Sequence, residues 1–226
     1  MTRSFDELSS IDKFKSTYNG NFSYDDYFSA MDIPEEEKKN VKALALKLET
    51  VFLIIFALYA IGEKNNDEIF SVSYQMYLEE TKDFLKFKQS SSYMEQHARQ
   101  IILDTIETTN NNVSIEDITK DNENNAESSN FYLSESRAKL IAANEASFDL
   151  NYSEYVKAVN SGKTKKTWIS EKDKHVRKTH QKVNGKTVGI FEPFEVGNSE
   201  LMFPKDTSLG ADVNETANCR CVVRYR

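Results

Sequence analysis

The chain has 226 residues and a mass of 26.0 kDa, enough to bury a core without disulfide staples, and its two Cys exclude a secreted, cystine-rich framework. Hydrophobic residues make up 39% and charged residues 29%, the balance of a soluble globular protein, while seven Gly and three Pro argue against a loop-dominated β sandwich. The net charge of −7 is unevenly divided: residues 1–130 hold 13 basic against 24 acidic side chains (net −11), and residues 131–226 hold 16 against 12 (net +4).

The first residues, Met1 to Glu7, lack the charged-then-apolar layout of a signal peptide. Residues 1–31 are polar but carry Phe5, Phe14, Tyr18, Phe22, Tyr24, Tyr27 and Phe28, which predicts short helical turns packed on this chain or another. Asp32-Ile33-Pro34-Glu35-Glu36-Glu37 reads as a helix start, with Asp32 as cap, Pro34 in the first turn and three Glu at the positive end of the dipole. This helix should run to Gly62. Its apolar run from Val51 to Ile61 would span about 16 Å, roughly half a bilayer core, so a buried bundle helix is expected and no membrane partner.

A second helix follows Asn65, with Phe70, Tyr74, Tyr77, Phe84 and Leu85 at helical spacing. A third, from Ser91 or Ser92, puts Met94, His97, Ile101, Ile102 and Ile106 on one side. Seven Asn between Thr108 and Asn130 suggest a linker or exposed loop and a domain boundary. Ser134 or Ser136 then opens a fourth helix ending before Gly162. Beyond it the pattern predicts a strand at Lys166–Ile169, a helix over Glu171–Gln181 capped by Ser170, and a turn at Gly185. Extended pieces at Thr187–Phe191 and Leu201–Phe203 precede a terminal strand at Asn218–Tyr225. The expected class is α+β: an acidic helical region (1–107), an Asn-rich linker (108–130), and a small α+β module (131–226) with a long leading helix and short antiparallel strands.

Two constellations could carry chemistry. On a terminal strand Cys219 and Cys221 share one face, and His175 or His180 could join them in a zinc site. The spacing, one residue between the Cys, is tighter than the usual zinc knuckle, so buried packing and a redox pair stand as alternatives. Residues 163–186 hold nine basic side chains (Lys163, Lys165, Lys166, Lys172, Lys174, Arg177, Lys178, Lys182 and Lys186) against Glu171 and Asp173. Such a segment can bind double-stranded DNA non-specifically, or form a solvated face. An acid–base set could be drawn from Glu145, Asp173, His175, Arg177 and His180. His175 and His180, five residues apart, diverge by about 140° on a helix, and no phosphate loop, nucleophile elbow or paired-His protease motif is present.

Arg137-Ala138-Lys139-Leu140-Ile141, then Asn144-Glu145, Lys166-Thr167-Trp168-Ile169-Ser170, Asp173, Val176-Arg177, His180, Gly185, Phe194, Pro204-Lys205-Asp206 and Asn218-Cys219-Arg220-Cys221 follow one another in order. Over about residues 133–226 this set resembles the C-terminal domain of the phage Mu F-like minor head, or head morphogenesis, proteins, with Asn144-Glu145 where members typically have Thr-Glu. The resemblance implies structural roles for Glu145, Trp168, Asp173, Arg177, His180, Gly185, Cys219, Arg220 and Cys221, with His180, Cys219 and Cys221 close together. It implies a non-enzymatic, low-copy virion component in the head interior or near the portal, made in the host cytoplasm, with the portal, other capsid proteins and packaged DNA as partners. It leaves open whether His180, Cys219 and Cys221 hold a zinc ion or simply pack, and it implies no other cofactor. Some members carry a toxin domain after this module, and with five residues following Cys221 none is expected here. The competing readings are a metal-dependent, nuclease-like enzyme using His180 and the Cys pair, and a free-standing prophage-encoded binding module.

Overall fold

The long apolar helix of the front half and the leading helix of the back half lie side by side, and the rest of the molecule is arranged around that pair. The computed structural model describes residues 22–61, 65–85, 92–113, 131–171 and 175–226. Expectations for residues 1–21 and 114–130, and for Lys172, Asp173 and Lys174, lie outside the described residues.

Helix α1 (Tyr24–Ser29) is capped by the Ser23 hydroxyl, which accepts from Asp26 N. It buries Tyr24, Tyr27 and Phe28 against its own chain. Helix α2 (Glu35–Ala60) begins one residue after Pro34, which itself occupies the cap position. Asp32 therefore does not cap it: the Asp32 carboxylate accepts from Arg224 at 2.5 Å, and its backbone N–H donates to Glu171. By length and composition α2 would also suit a bilayer, but Val41, Ala45, Leu48, Val51 and Phe52 are inside the protein core. Each such large side chain contributes roughly 1.5–3 kcal/mol by leaving water.

Helices α3 (Asn66–Leu85) and α4 (Ser92–Asn112) complete the helical layer. On α3 the fully buried positions are Ile69, Ser73, Tyr77 and Thr81, each four apart, with Phe70 and Tyr74 half-buried beside them. Helix α4 buries Met94, Ala98, Ile102 and Ile106 and continues to Asn112, four residues past the expected start of the linker. Thr105 and Thr109 are buried there, their hydroxyls satisfied by the carbonyl four residues back.

Helix α5 (Glu135–Asn160) is capped by Ser134, whose hydroxyl accepts from Arg137 N. Ala138, Ala142, Ala143 and Ala146 give it a stripe of small side chains along which α2 packs closely. Val222, from the last strand, joins the same core. The helical front thus packs on α5 and Val222 in one apolar core, while the strands of the module gather a second cluster of their own around Trp168 and Phe194.

The module holds two small antiparallel sheets. In one, β1 (Lys165–Ile169) lies between β2 (Thr187–Gly189) and β5 (Val222–Tyr225), with Thr167 opposite Thr187 and Trp168 opposite Val223. In the other, β3 (Phe194–Val196) pairs with β4 (Ser199–Leu201). Two predicted elements are corrected. Residues 175–177 are not helical, and the helix there, α6, spans only Lys178–Val183. Ser170 does not cap it, since the cap position falls at Arg177, seven residues later; the Ser170 N–H donates to the Asn184 side chain. The last strand begins at Val222, so both Cys precede it. A short helix, α7 (Val213–Thr216), and a left-handed Asn218 (φ 54°) deliver them instead.

Candidate functional site

Three soft ligands converge inside the module. His180 lies on the inner side of α6, one turn before buried Val183, while Lys178, Gln181 and Lys182 point outward. The helix stops at Asn184, and Gly185 (φ 78°) turns the chain back so that its N–H donates to Trp168 O. On the facing segment, Asn218 takes up the left-handed turn before Cys219, a conformation that Asn visits more readily than most residues. Asn144 supports it from both sides: Asn144 Oδ1 accepts from Asn218 N at 2.8 Å, and Asn144 Nδ2 donates to Asn218 Oδ1 at 2.9 Å. Arg177 donates to the Ala217 carbonyl, fixing the turn from the other side.

His180 Nδ1 lies 3.4 Å from Cys221 Sγ and 3.5 Å from Cys219 Sγ, and all three ligand atoms fall within 4.8 Å of one another. All three residues are buried. The other ring nitrogen, Nε2, is 3.1 Å from Glu215 Oε2, which also accepts from the Thr179 hydroxyl at 2.7 Å. Gly197 makes room for this carboxylate, since a Cβ there would lie 2.4 Å from Glu215 Oε1. The Trp168 ring stands edge-on to His180 with centroids 5.6 Å apart and walls the cluster. Burial alone would raise the Cys219 thiol, but Cys221, His180 and the nearby Lys205 outweigh it and hold Cys219 well below the usual thiol range. Cys221 is driven the other way by its bond to Cys219 and by burial. His175 is exposed and stands outside the cluster.

A second buried polar group lies between the helical layer and α5. Glu145 Oε2 accepts from Tyr77 at 2.9 Å and sits 2.7 Å from His97 Nε2. The His97 ring stacks on Phe148 at 3.6 Å. Burial pushes Glu145 up, yet the charge and bond of His97, the Tyr77 bond and the charge of Lys205 bring it below its ordinary value. One turn on, Asp149 is fully buried with neither carboxyl oxygen hydrogen-bonded, and burial with the neighbouring Glu145 charge holds it protonated far above the usual carboxylate range. Lys205, at a left-handed φ of 71°, bridges the two sites: it contacts Asn144 by a direct hydrogen bond, and burial lowers its ammonium to about 8.

The family-motif residues thus separate. His180, Cys219 and Cys221 meet. Glu145 joins His97 and Tyr77 instead, Trp168 fills the module core, and Arg220 is half-buried. Of the basic segment, Lys163, Lys165, Lys178 and Lys182 are exposed. Lys166 is the correction: it is fully buried, donates to Met202 O at 2.7 Å, and lies over the Tyr155 and Phe194 rings, where burial lowers it to about 8. Its side chain lies on the inner face of β1, opposite in direction to exposed Lys165, and so away from any nucleic acid. Arg177 is half-buried and committed to Ala217. Sequence reasoning missed Glu215, Asn144 as a hub, and Asp149. Only Asp149 carried a signal, as a charged side chain one helical turn after Glu145 on a helix otherwise rich in apolar positions.

Comparison with known proteins adds three findings. No solved structure matches the chain. The NAD(+)–arginine ADP-ribosyltransferase EFV of Enterococcus faecalis is 37% identical over 57 residues, which is 25% of this chain and 11% of that relative. The chain therefore spans about a tenth of that relative's length, too small a part to carry its activity across. The model of the Phage Mu protein F like family matches residues 96–224, more than half of the chain and further forward than the motifs reach, taking in most of α4. Members of that family are structural proteins of phage head morphogenesis. On that match the chain belongs to the Phage Mu protein F-like family.

Proposed function

We propose that the chain is a low-copy structural component of a phage head, positioned near the portal and in contact with packaged DNA. The observation that carries this reading is the family match over residues 96–224. Two features support the finer assignments. Exposed acidic side chains of α2 and α3, Glu35, Glu36, Asp67, Glu68, Glu79 and Asp83, offer a negative surface for a basic capsid partner such as the portal. Exposed Lys163, Lys165, Lys178 and Lys182 offer a positive one for phosphate backbones.

Mass spectrometry of purified, DNA-filled particles is the direct test. Peptides of this chain at a small fraction of the major capsid protein are the expected result; their absence from heads at every assembly stage would overturn the proposal. For the nucleic-acid contact, full-length protein should bind duplex DNA of any sequence at low salt. The logarithm of affinity should fall linearly with that of salt, by about 0.9 per phosphate contact. Reversing Lys165, Lys178 and Lys182 to Glu together should weaken binding and flatten that slope. A variant with the parental slope would place the DNA contact elsewhere.

A further inference from the structure

We propose that His180, Cys219 and Cys221 bind one zinc ion, with Glu215 as the positioning residue that orients the histidine. The first argument is the number of lone pairs. Neutral imidazole presents a single lone pair on Nδ1, yet two sulfurs approach that nitrogen at 3.4 and 3.5 Å. A thiol bond to Nδ1 and the bond between Cys221 and Cys219 hold the three atoms together when the site is empty, and that same convergence on one lone pair is what a shared cation needs.

The second argument is dimensional. Zinc–sulfur and zinc–nitrogen bonds of about 2.3 and 2.05 Å at a tetrahedral angle separate sulfur from nitrogen by about 3.6 Å. The observed separations differ from that by a tenth or two of an ångström, so the ion can seat without moving the backbone. The third is the opposite edge of the ring. With Nε2–H donated to Glu215 at 3.1 Å, the tautomer is fixed with the Nδ1 lone pair facing the sulfurs. A ligating histidine commonly has its other nitrogen held by a carboxylate in this way. Thr179 and the bare Cα of Gly197 in turn position Glu215. Two thiolates and one divalent ion sum to zero charge, which suits a site closed off by the Trp168 ring and the module core. The donor set, two sulfurs and an imidazole, fits zinc rather than calcium or magnesium, which take oxygen ligands. Among the described residues these three side chains supply the donors.

The full-length protein, purified and kept under thiol reductant, should take up one zinc per chain. Replacement by cobalt should produce an intense near-ultraviolet band from cysteine thiolate and visible bands of tetrahedral strength. Cys219→Ser and Cys221→Ser should each remove the near-ultraviolet band or cut it by about half. Glu215→Gln should keep the band but weaken metal affinity about 10- to 100-fold. Should the cysteine variants fail to fold, the wild-type chain still decides the matter: zinc should slow the reaction of both thiols with an alkylating reagent, and a chelator should restore it. Failure to take up zinc or cobalt, a cobalt form without the thiolate band, or thiol reactivity indifferent to zinc would each overturn the site.

Discussion

Replacing Glu145 with Ala is expected to cost the fold about 3–5 kcal/mol at pH 7, the range for removing one partner of a buried, hydrogen-bonded charge pair. The loss has two origins. Tyr77 and His97 both point at Glu145 Oε2, at 2.9 and 2.7 Å, and would be left in the interior without it. Glu145→Gln, which keeps an acceptor for Tyr77, should lose less, about 1–2 kcal/mol. The sign of the pH dependence follows from the depressed Glu145 carboxyl. Its contribution is present above the unfolded-state carboxylate value and is lost as pH falls through the lower folded-state value. Urea titrations of both variants at pH 7 and at pH 3 check this; a cost below about 1 kcal/mol for Glu145→Ala would show the group to be idle.

The second large effect runs the other way. Asp149→Asn should stabilise the protein at pH 7 and hardly at all near pH 4. Burial and the neighbouring Glu145 charge push the Asp149 carboxyl up in the folded chain, with its oxygens unpartnered, whereas in the unfolded chain it ionises near pH 4. A raised folded-state value means that this group's contribution is intact below the unfolded value and drains away as pH rises towards the folded one. Asn has the same shape and no proton to lose, so the variant's stability should be flatter with pH. Equal pH slopes for variant and parent would mean that Asp149 ionises inside the protein.

The helices were legible because they follow from local rules. Glutamates after Pro34, Ser134 before a periodic run, and Gly162 after it are signals that neighbouring residues supply. The Cys–His cluster was legible only through the ordered motifs. The alternation expected of a terminal strand is not what aims the cysteines together; Asn218 and its long-range bonds to Asn144 do that. Glu215 was out of reach because its partner His180 is 35 residues away and nothing in the intervening spacing links them. Lys166 misled for a related reason. In sequence it is one lysine among nine, and only the folded strand reveals that its side chain lies on the inner face of β1.

The continuous helix α5 has a consequence for how the molecule comes apart. One side of it carries the alanine stripe against α2, and its later turns carry Phe148 and Tyr152 against Phe203 of the module. Neither half of the chain can melt without stripping a face from this one rod, so the described elements should unfold together, as a single calorimetric transition in which calorimetric and van't Hoff enthalpies agree. Among the described elements, strain placed on one face of this rod is passed to the other. Grip applied to its acidic helices is grip on its basic sheet.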